Sequence, residues 1–220
     1  MPFEPINVEG NPALVEDLKR LGAMGIPALV GADRVFYGWN PKELAAFVGV
    51  KHVDPERLPP ADLMERLDRV LEASQRAIRQ VPEKCLDSVS PGRNRSVRNL
   101  AYHIFRLSLA FCEAIDQKEP AKKGWADEAP PEIEGGEGIA LYGEKVRKHL
   151  KKYERVNAWD TPVLTDSGPQ TAHAYLERTV WHAAQHLRQL YSLLEQMGER
   201  PNHPLDDREF KDLPLPAEVW

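Results

Sequence analysis

The stretch RTVWHAAQHLRQLYSLLEQMG, residues 178–198, carries the reading on which the fold depends. With the residues from Thr171 onward it describes one long helix. At about 100° per residue from Leu176, the side chains of Val180, Ala183, Leu187, Leu190 and Leu194 fall within about 40° of one direction, an apolar stripe wide enough to face a core. Gly198 stands where a left-handed residue would close the helix. His182 and His186 fall at roughly 240° and 280°, with Gln189 at roughly 220°, so the three form a polar ridge beside the stripe. Side chains four apart share a helix face, and two imidazoles at that spacing can enter one metal coordination sphere.

Working upstream, three more segments carry helical periodicity. ADLMERLDRVLEASQRAIRQV, from residue 61, places Leu63, Leu67, Val70, Leu71, Ala77 and Ile78 on one face, with Ser74 as its polar gap. A second helix is expected from about Ser96 to Gln117, striped by Val97, Leu100, Ile104, Leu107, Phe111 and Ile115. Ser96 is its preferred N-cap, because its hydroxyl stands just before the first apolar residue and can accept from an orphan N–H. A third runs from Ile139 to Val156. Residues 118–138, rich in Pro, Gly and charge, read as a loop, and TPVLTDSGPQT reads as a short hairpin before the last helix. Four helices with loops of unequal length make a four-helix bundle over residues 61–200 the economical architecture. Residues 201–220 form a tail too rich in proline for a helix.

The first fifty residues differ, with α/β patterning. FEPINV suggests a strand, NPALVEDLKRLGAMG a helix, PALVGADRVFYG a hairpin turning at residues 31–33, and NPKELAAFVGV a helix. Asn40 as N-cap, Pro41 at the first helical position and Glu43 in the capping-box position mark that second start. The polar, proline-rich KHVDPERLPP, residues 51–60, reads as a linker.

Net charge is −5 and the pI near 5.8, without the basic face that nucleic acid requires. Charges interrupt every apolar run well short of the ~20 residues needed to span a bilayer. Cys85 and Cys112 have neither CxxC nor disulfide-framework spacing, and the start does not resemble a signal peptide, so a reducing cytoplasm is expected.

Candidate chemistry centres on imidazole. His103 lies about 80° from the centre of its own helix's stripe, from which it could face the pair across the bundle. Three ligands with an open position describe catalytic rather than structural zinc, although neutral imidazole also suits nickel, iron or copper. His52, His149 and His203 read as surface residues, and His173, at the helix start, as a possible outer contact. No general base is identifiable: candidates such as Glu113 and Glu177 are equally explained as solvated helix-face charges. Arg93, Arg95 and Arg98 cluster at a helix start, against the helix dipole, where they could meet a carboxylate. Trp181 either walls the site or fills core.

SVRNLAYHIFRL, followed some eighty residues later by VWHAAQHLRQLYSLLEQMG, resembles the DinB/YfiT-like family of four-helix-bundle metalloproteins over roughly residues 60–200. The resemblance implies a divalent metal held by His103, His182 and His186. It also implies a thiol transferase, isomerase or hydrolase working with a low-molecular-weight thiol on a small substrate, in a chain that pairs as a homodimer. GIPALVGADRVFYGWNPKELAAFVG independently is similar to the C-terminal half of a glutaredoxin, a thioredoxin-like fold. There Pro27 takes the place of the usual cis-proline, and residues 38–40 the place of the turn that helps hold glutathione. The fragment lacks the first strand and the CxxC helix, which excludes the usual thiol-disulfide exchange. Its presence makes glutathione the expected thiol, with contacts from backbone groups at Ile26 and Pro27 and from Arg93, Arg95 and Gln189. The alternative is a non-catalytic metal or small-ligand binding protein in which the fragment docks or dimerises. The expected whole is mainly α, a DinB-like bundle preceded by a truncated glutaredoxin-like α/β segment.

Overall fold

The structure, a computed structural model, describes residues 4–8, 11–23, 28–31, 34–38, 40–53, 56–90, 95–116, 128–153, 158–165 and 168–219. The chain divides into two compact units, residues 1–56 and 57–220. It is mainly helical, with two small antiparallel sheets among the described residues.

In the first unit, helix α1 (Pro12–Arg20) is followed by strands β1 (Ala28–Val30) and β2 (Val35–Tyr37), then helix α2 (Pro41–Val48). The strands pair antiparallel with Ala28 opposite Tyr37 and Val30 opposite Val35. Asn40 caps α2 as its position suggested, its Oδ1 accepting from Glu43 N at 3.2 Å, and Gly49 closes it at φ 75°. One expectation fails: residues 4–8 form no strand. A strand exists only with a ladder partner, and the described hairpin leaves β1 and β2 paired only with each other. Helix, hairpin, helix is the order expected of a glutaredoxin-like fragment, an order that other small α/β units share. Only Ala23 and Ala45 are buried here among the described residues.

The second unit is the bundle. Its long helices are α3 (Pro60–Gln80), α4 (Val97–Ile115), α5 (Gly135–Leu150) and α6 (Ala172–Gln196). Helix α3 packs chiefly on α5 and α6, and α4 on the same two, so the sequence neighbours α3 and α4 stand across the core from each other. Leu63, Leu67, Leu71 and Ile78 of α3 meet Leu100, Ile104 and Phe111 of α4 and Leu176, Leu187 and Leu190 of α6 in one core. Ser74, the polar gap in the α3 stripe, is fully buried and donates its hydroxyl to Val70 O at 2.8 Å, which satisfies it within its own helix. The buried face of α4 also takes in Tyr102, Phe105, Ser108 and Cys112, because a helix wedged between two others needs a broader apolar arc than one stripe.

Two boundaries differ from expectation. Helix α5 begins at Gly135, four residues before Ile139, because its glycines serve as contact surfaces. A Cβ on Gly136 would lie 2.5 Å from Ile78 O, and one on Gly143 2.5 Å from the Phe105 ring. The helix passes into a 3-10 turn at Lys151–Tyr153, and residues 154–157, expected to continue it, lie outside the described residues. The tail, expected to be non-helical, carries a one-turn helix α7 (Asp207–Phe210), whose Asp206 cap accepts from Arg208 N. Leu213 is buried against the bundle.

Strands β3 (Pro162–Thr165) and β4 (Gly168–Thr171) form the expected hairpin, Pro162 opposite Thr171. Thr171 ends β4 and caps α6, its Oγ1 accepting from Ala174 N at 3.1 Å, which fixes the start of the helix that carries the histidine pair.

Candidate metal centre

His103 comes from the middle of α4, and His182 and His186 from successive turns of α6, at the interface where those two helices pack. One side-chain nitrogen from each of the three lies within 4.8 Å of the other two. Ring centroids are 5.6 Å apart for His103 and His182, 5.0 Å for His103 and His186, and 4.7 Å for the pair on α6. Nitrogens around a tetrahedral zinc with bonds of ~2.1 Å stand about 3.4 Å apart, so the donors are gathered nearly to coordination distance. The set fits a divalent cation that accepts imidazole, and it supplies three protein ligands.

Burial gives the site a direction. His103 and His186 are 3% and 2% exposed, whereas His182 is half-buried. Trp181, also half-buried, stacks on His182 with centroids 5.4 Å apart and planes 23° apart. The indole thus borders the site beside His182 and also packs against the hydrophobic core, so both of its sequence readings hold.

Gln189, the third member of the ridge, is 3% exposed. Its Oε1 lies 2.7 Å from His186 Nδ1, and its Nε2 donates to Val219 O at 2.9 Å. The tail is thus part of the surroundings of the α6 histidines. Sequence reading missed Gln185 and Arg188 here. Gln185 Nε2 donates to Val219 O at 2.7 Å, and Arg188 donates to Gln185 Oε1, Pro216 O and Ala217 O. The available signal was the i, i+3, i+4 spacing of Gln185, Arg188 and Gln189, a polar face waiting for a partner.

The other candidates disperse. Glu113 pairs with Arg106 at 3.1 Å and Glu177 with Arg57 at 3.3 Å, so both carboxylates are committed to ion pairs. Arg98 donates to the carbonyls of Pro130 and Ile133, tying α4 to the approach of α5. Arg95 lies half-buried just before α4, its carbonyl accepting from Ser90 N, while Arg93, Ile26 and Pro27 lie outside the described residues. His173 donates from Nε2 to Leu58 O at 2.8 Å, anchoring the start of α6. Both cysteines are free, and burial pushes the Cys112 thiol far up. No helix among the described residues is long and apolar enough to cross a membrane.

Comparison with known families places residues 66–190 in a match to the family model of the DinB superfamily, which spans α3 to α6 and all three histidines. No curated protein matches the chain.

Proposed function

Since the chain belongs to the DinB superfamily, which includes metal-binding members, we propose that it is a divalent-metal enzyme using a low-molecular-weight thiol, glutathione in our reading, on a small electrophilic substrate. The reaction class is thiol transfer or isomerisation, with hydrolysis the related alternative. The observation that carries the proposal is the convergence of His103, His182 and His186 within 4.8 Å. Zinc suits three imidazoles best, and nickel and iron accept the same donors.

His103, His182 and His186 would hold the cation, which when bound would acidify a thiol or water brought to it. The chain's own residues supply position and shielding. His103 and His186 approach from the dry interior, and the low dielectric around them strengthens whatever charge they face. His182 and Trp181 border the exposed side, where a substrate can enter and meet an aromatic face. Glu113 and Glu177 stand in ion pairs with Arg106 and Arg57, and no general base is assigned. Arg93 and Arg95 stay our candidates for the thiol's carboxylates.

Elemental analysis of untagged protein tests the metal. We expect about one zinc, nickel or iron per chain, lost in the His182→Ala/His186→Ala double variant. Absence of metal in both, even after incubation with excess divalent ions, would overturn the mechanism.

A second reading, a non-catalytic metal or small-ligand binding protein whose first unit docks or dimerises, is favoured by one observation. Most of the large apolar side chains that stand exposed belong to residues 1–56, among them Ile6, Leu21, Val30, Val50 and Val53. A metal-loaded chain that shows no turnover with glutathione and a panel of electrophiles, yet sediments as a dimer, would select this reading.

A further inference from the structure

We propose that Gln189 is a positioning residue that fixes the tautomer of His186, and that the C-terminal segment 216–219 sets Gln189 in the orientation this requires. The inference rests on the metal site proposed above and assigns it an outer layer built by this chain's own tail.

The argument follows donors and acceptors along one line. Arg188, a cation that can only donate, faces Gln185 Oε1 at 2.9 Å and Pro216 O at 2.8 Å. With its oxygen committed to Arg188, the Gln185 amide turns its NH2 to Val219 O at 2.7 Å. Gln189 Nε2 reaches the same carbonyl at 2.9 Å, so the two amides fill both lone pairs of Val219 O. A carbonyl cannot donate, and this settles which end of the Gln189 amide faces the tail. Its Oε1 must then face His186 Nδ1, 2.7 Å away. An amide oxygen cannot donate either, so Nδ1 carries the proton and Nε2 keeps the lone pair. Histidine ligands generally donate their second N–H to such an acceptor, which fixes ring orientation and raises ligand basicity. The Gln189 amide and the His186 ring are both buried, so water competes little for these bonds.

Ordinary packing by Gln189 would require none of this ordering. It would be satisfied by any side chain of similar volume, whereas a positioning role requires an acceptor facing Nδ1.

Two measurements on the full-length chain test the proposal. In metal-free protein labelled with 15N-histidine, long-range 1H–15N correlation should show neutral His186 as the Nδ1–H tautomer, with that preference lost in Gln189→Leu. Zinc affinity, read by competition with a chromophoric chelator, should fall about 10- to 100-fold in Gln189→Leu. Gln189→Glu, which keeps an acceptor and abandons Val219, should stay within about threefold of the parent by the same reasoning. Arg188→Ala loosens the tail without touching Gln189. It should weaken zinc binding in the parent and leave affinity unchanged in the Gln189→Glu background, where either carboxylate oxygen can accept. An Nε2–H tautomer in the parent, or equal zinc affinity in Gln189→Leu and parent, would overturn the proposal, as would an Arg188→Ala effect that persists in Gln189→Glu. Because the tautomer is read without metal, a chain that binds no zinc would sink the metal reading while the Gln189 assignment is judged on its own.

Discussion

A methyl group at Gly143 would sit 2.5 Å from the ring of Phe105, which is fully buried and has nowhere to move. Alanine at an ordinary helical position gains about 1 kcal/mol over glycine, but forced overpacking costs about 1–3 kcal/mol. The second effect should win. Gly143→Ala is expected to lower unfolding free energy by roughly 1–2 kcal/mol in urea denaturation; an unchanged or raised midpoint would mean that Phe105 repacks freely. Gly136, where a Cβ would lie 2.5 Å from Ile78 O, accounts for the four residues by which α5 starts before its expected Ile139. Composition marks glycine as a breaker, and nothing local to the sequence reveals that a neighbouring helix comes close enough to forbid a side chain. The histidines were legible for a different reason: His182 and His186 carry their geometry in their i, i+4 spacing, while His103 joined them through the family resemblance. The cysteines give a second test at this scale. Cys112 is fully buried with its thiol pushed far up, while Cys85 is half-buried. Brief treatment of native protein with iodoacetamide should therefore modify Cys85 and spare Cys112, with both modified after denaturation. Rapid native labelling of Cys112 would show that the α4 core opens.

Between elements, α3 and α5 are joined by a polar seam that periodicity could not announce. Arg147 grips Asp68 through two bonds of 2.7 and 2.8 Å, and donates to Gln75 Oε1 at 3.0 Å. Gln75 Nε2 in turn donates to Ala140 O at 2.8 Å. Residues that stripe analysis assigns to solvated helix faces become partners only when two helices meet, so the helices were readable and their polar cross-links were not. The arginine beside Asp68 holds its carboxyl below the ordinary carboxylate value. A depressed folded-state pKa contributes stability that is present above the unfolded value and lost as pH falls through the folded one. Asp68 is 41% exposed at its side chain, so solvent screens the pair and the contribution is about 0.2–1 kcal/mol. We expect Asp68→Asn to lower Tm at neutral pH, with the difference from the parent shrinking below about pH 4. A gap that stays constant down to pH 2 would assign the loss to packing.

For the molecule as a whole, the bundle was readable because each long helix carries its own amphipathic record and the caps at Ser96 and Thr171 punctuate it. The tail was not. Beside the histidine pair its hold runs through backbone carbonyls, which every residue possesses and no sequence pattern distinguishes, while Leu213 and the Glu209–Arg69 ion pair hold it elsewhere. The arrangement also bears on what the first unit is for. All three histidines, the four long helices and the strap of residues 216–219 lie within residues 57–220, and so does the whole of the family match. The first unit, with Ala23 and Ala45 as its buried residues among those described, has little apolar area to stabilise it alone. A chain of residues 57–220 is therefore expected to fold with cooperative thermal unfolding and to bind zinc with the full-length affinity, measured by chelator competition. If it also loses glutathione affinity while retaining zinc, residues 1–56 contribute to thiol recognition; if it instead changes from dimer to monomer in sedimentation with thiol affinity intact, they form an interface. A fragment that folds but no longer holds zinc would contradict the location of the metal site in the bundle.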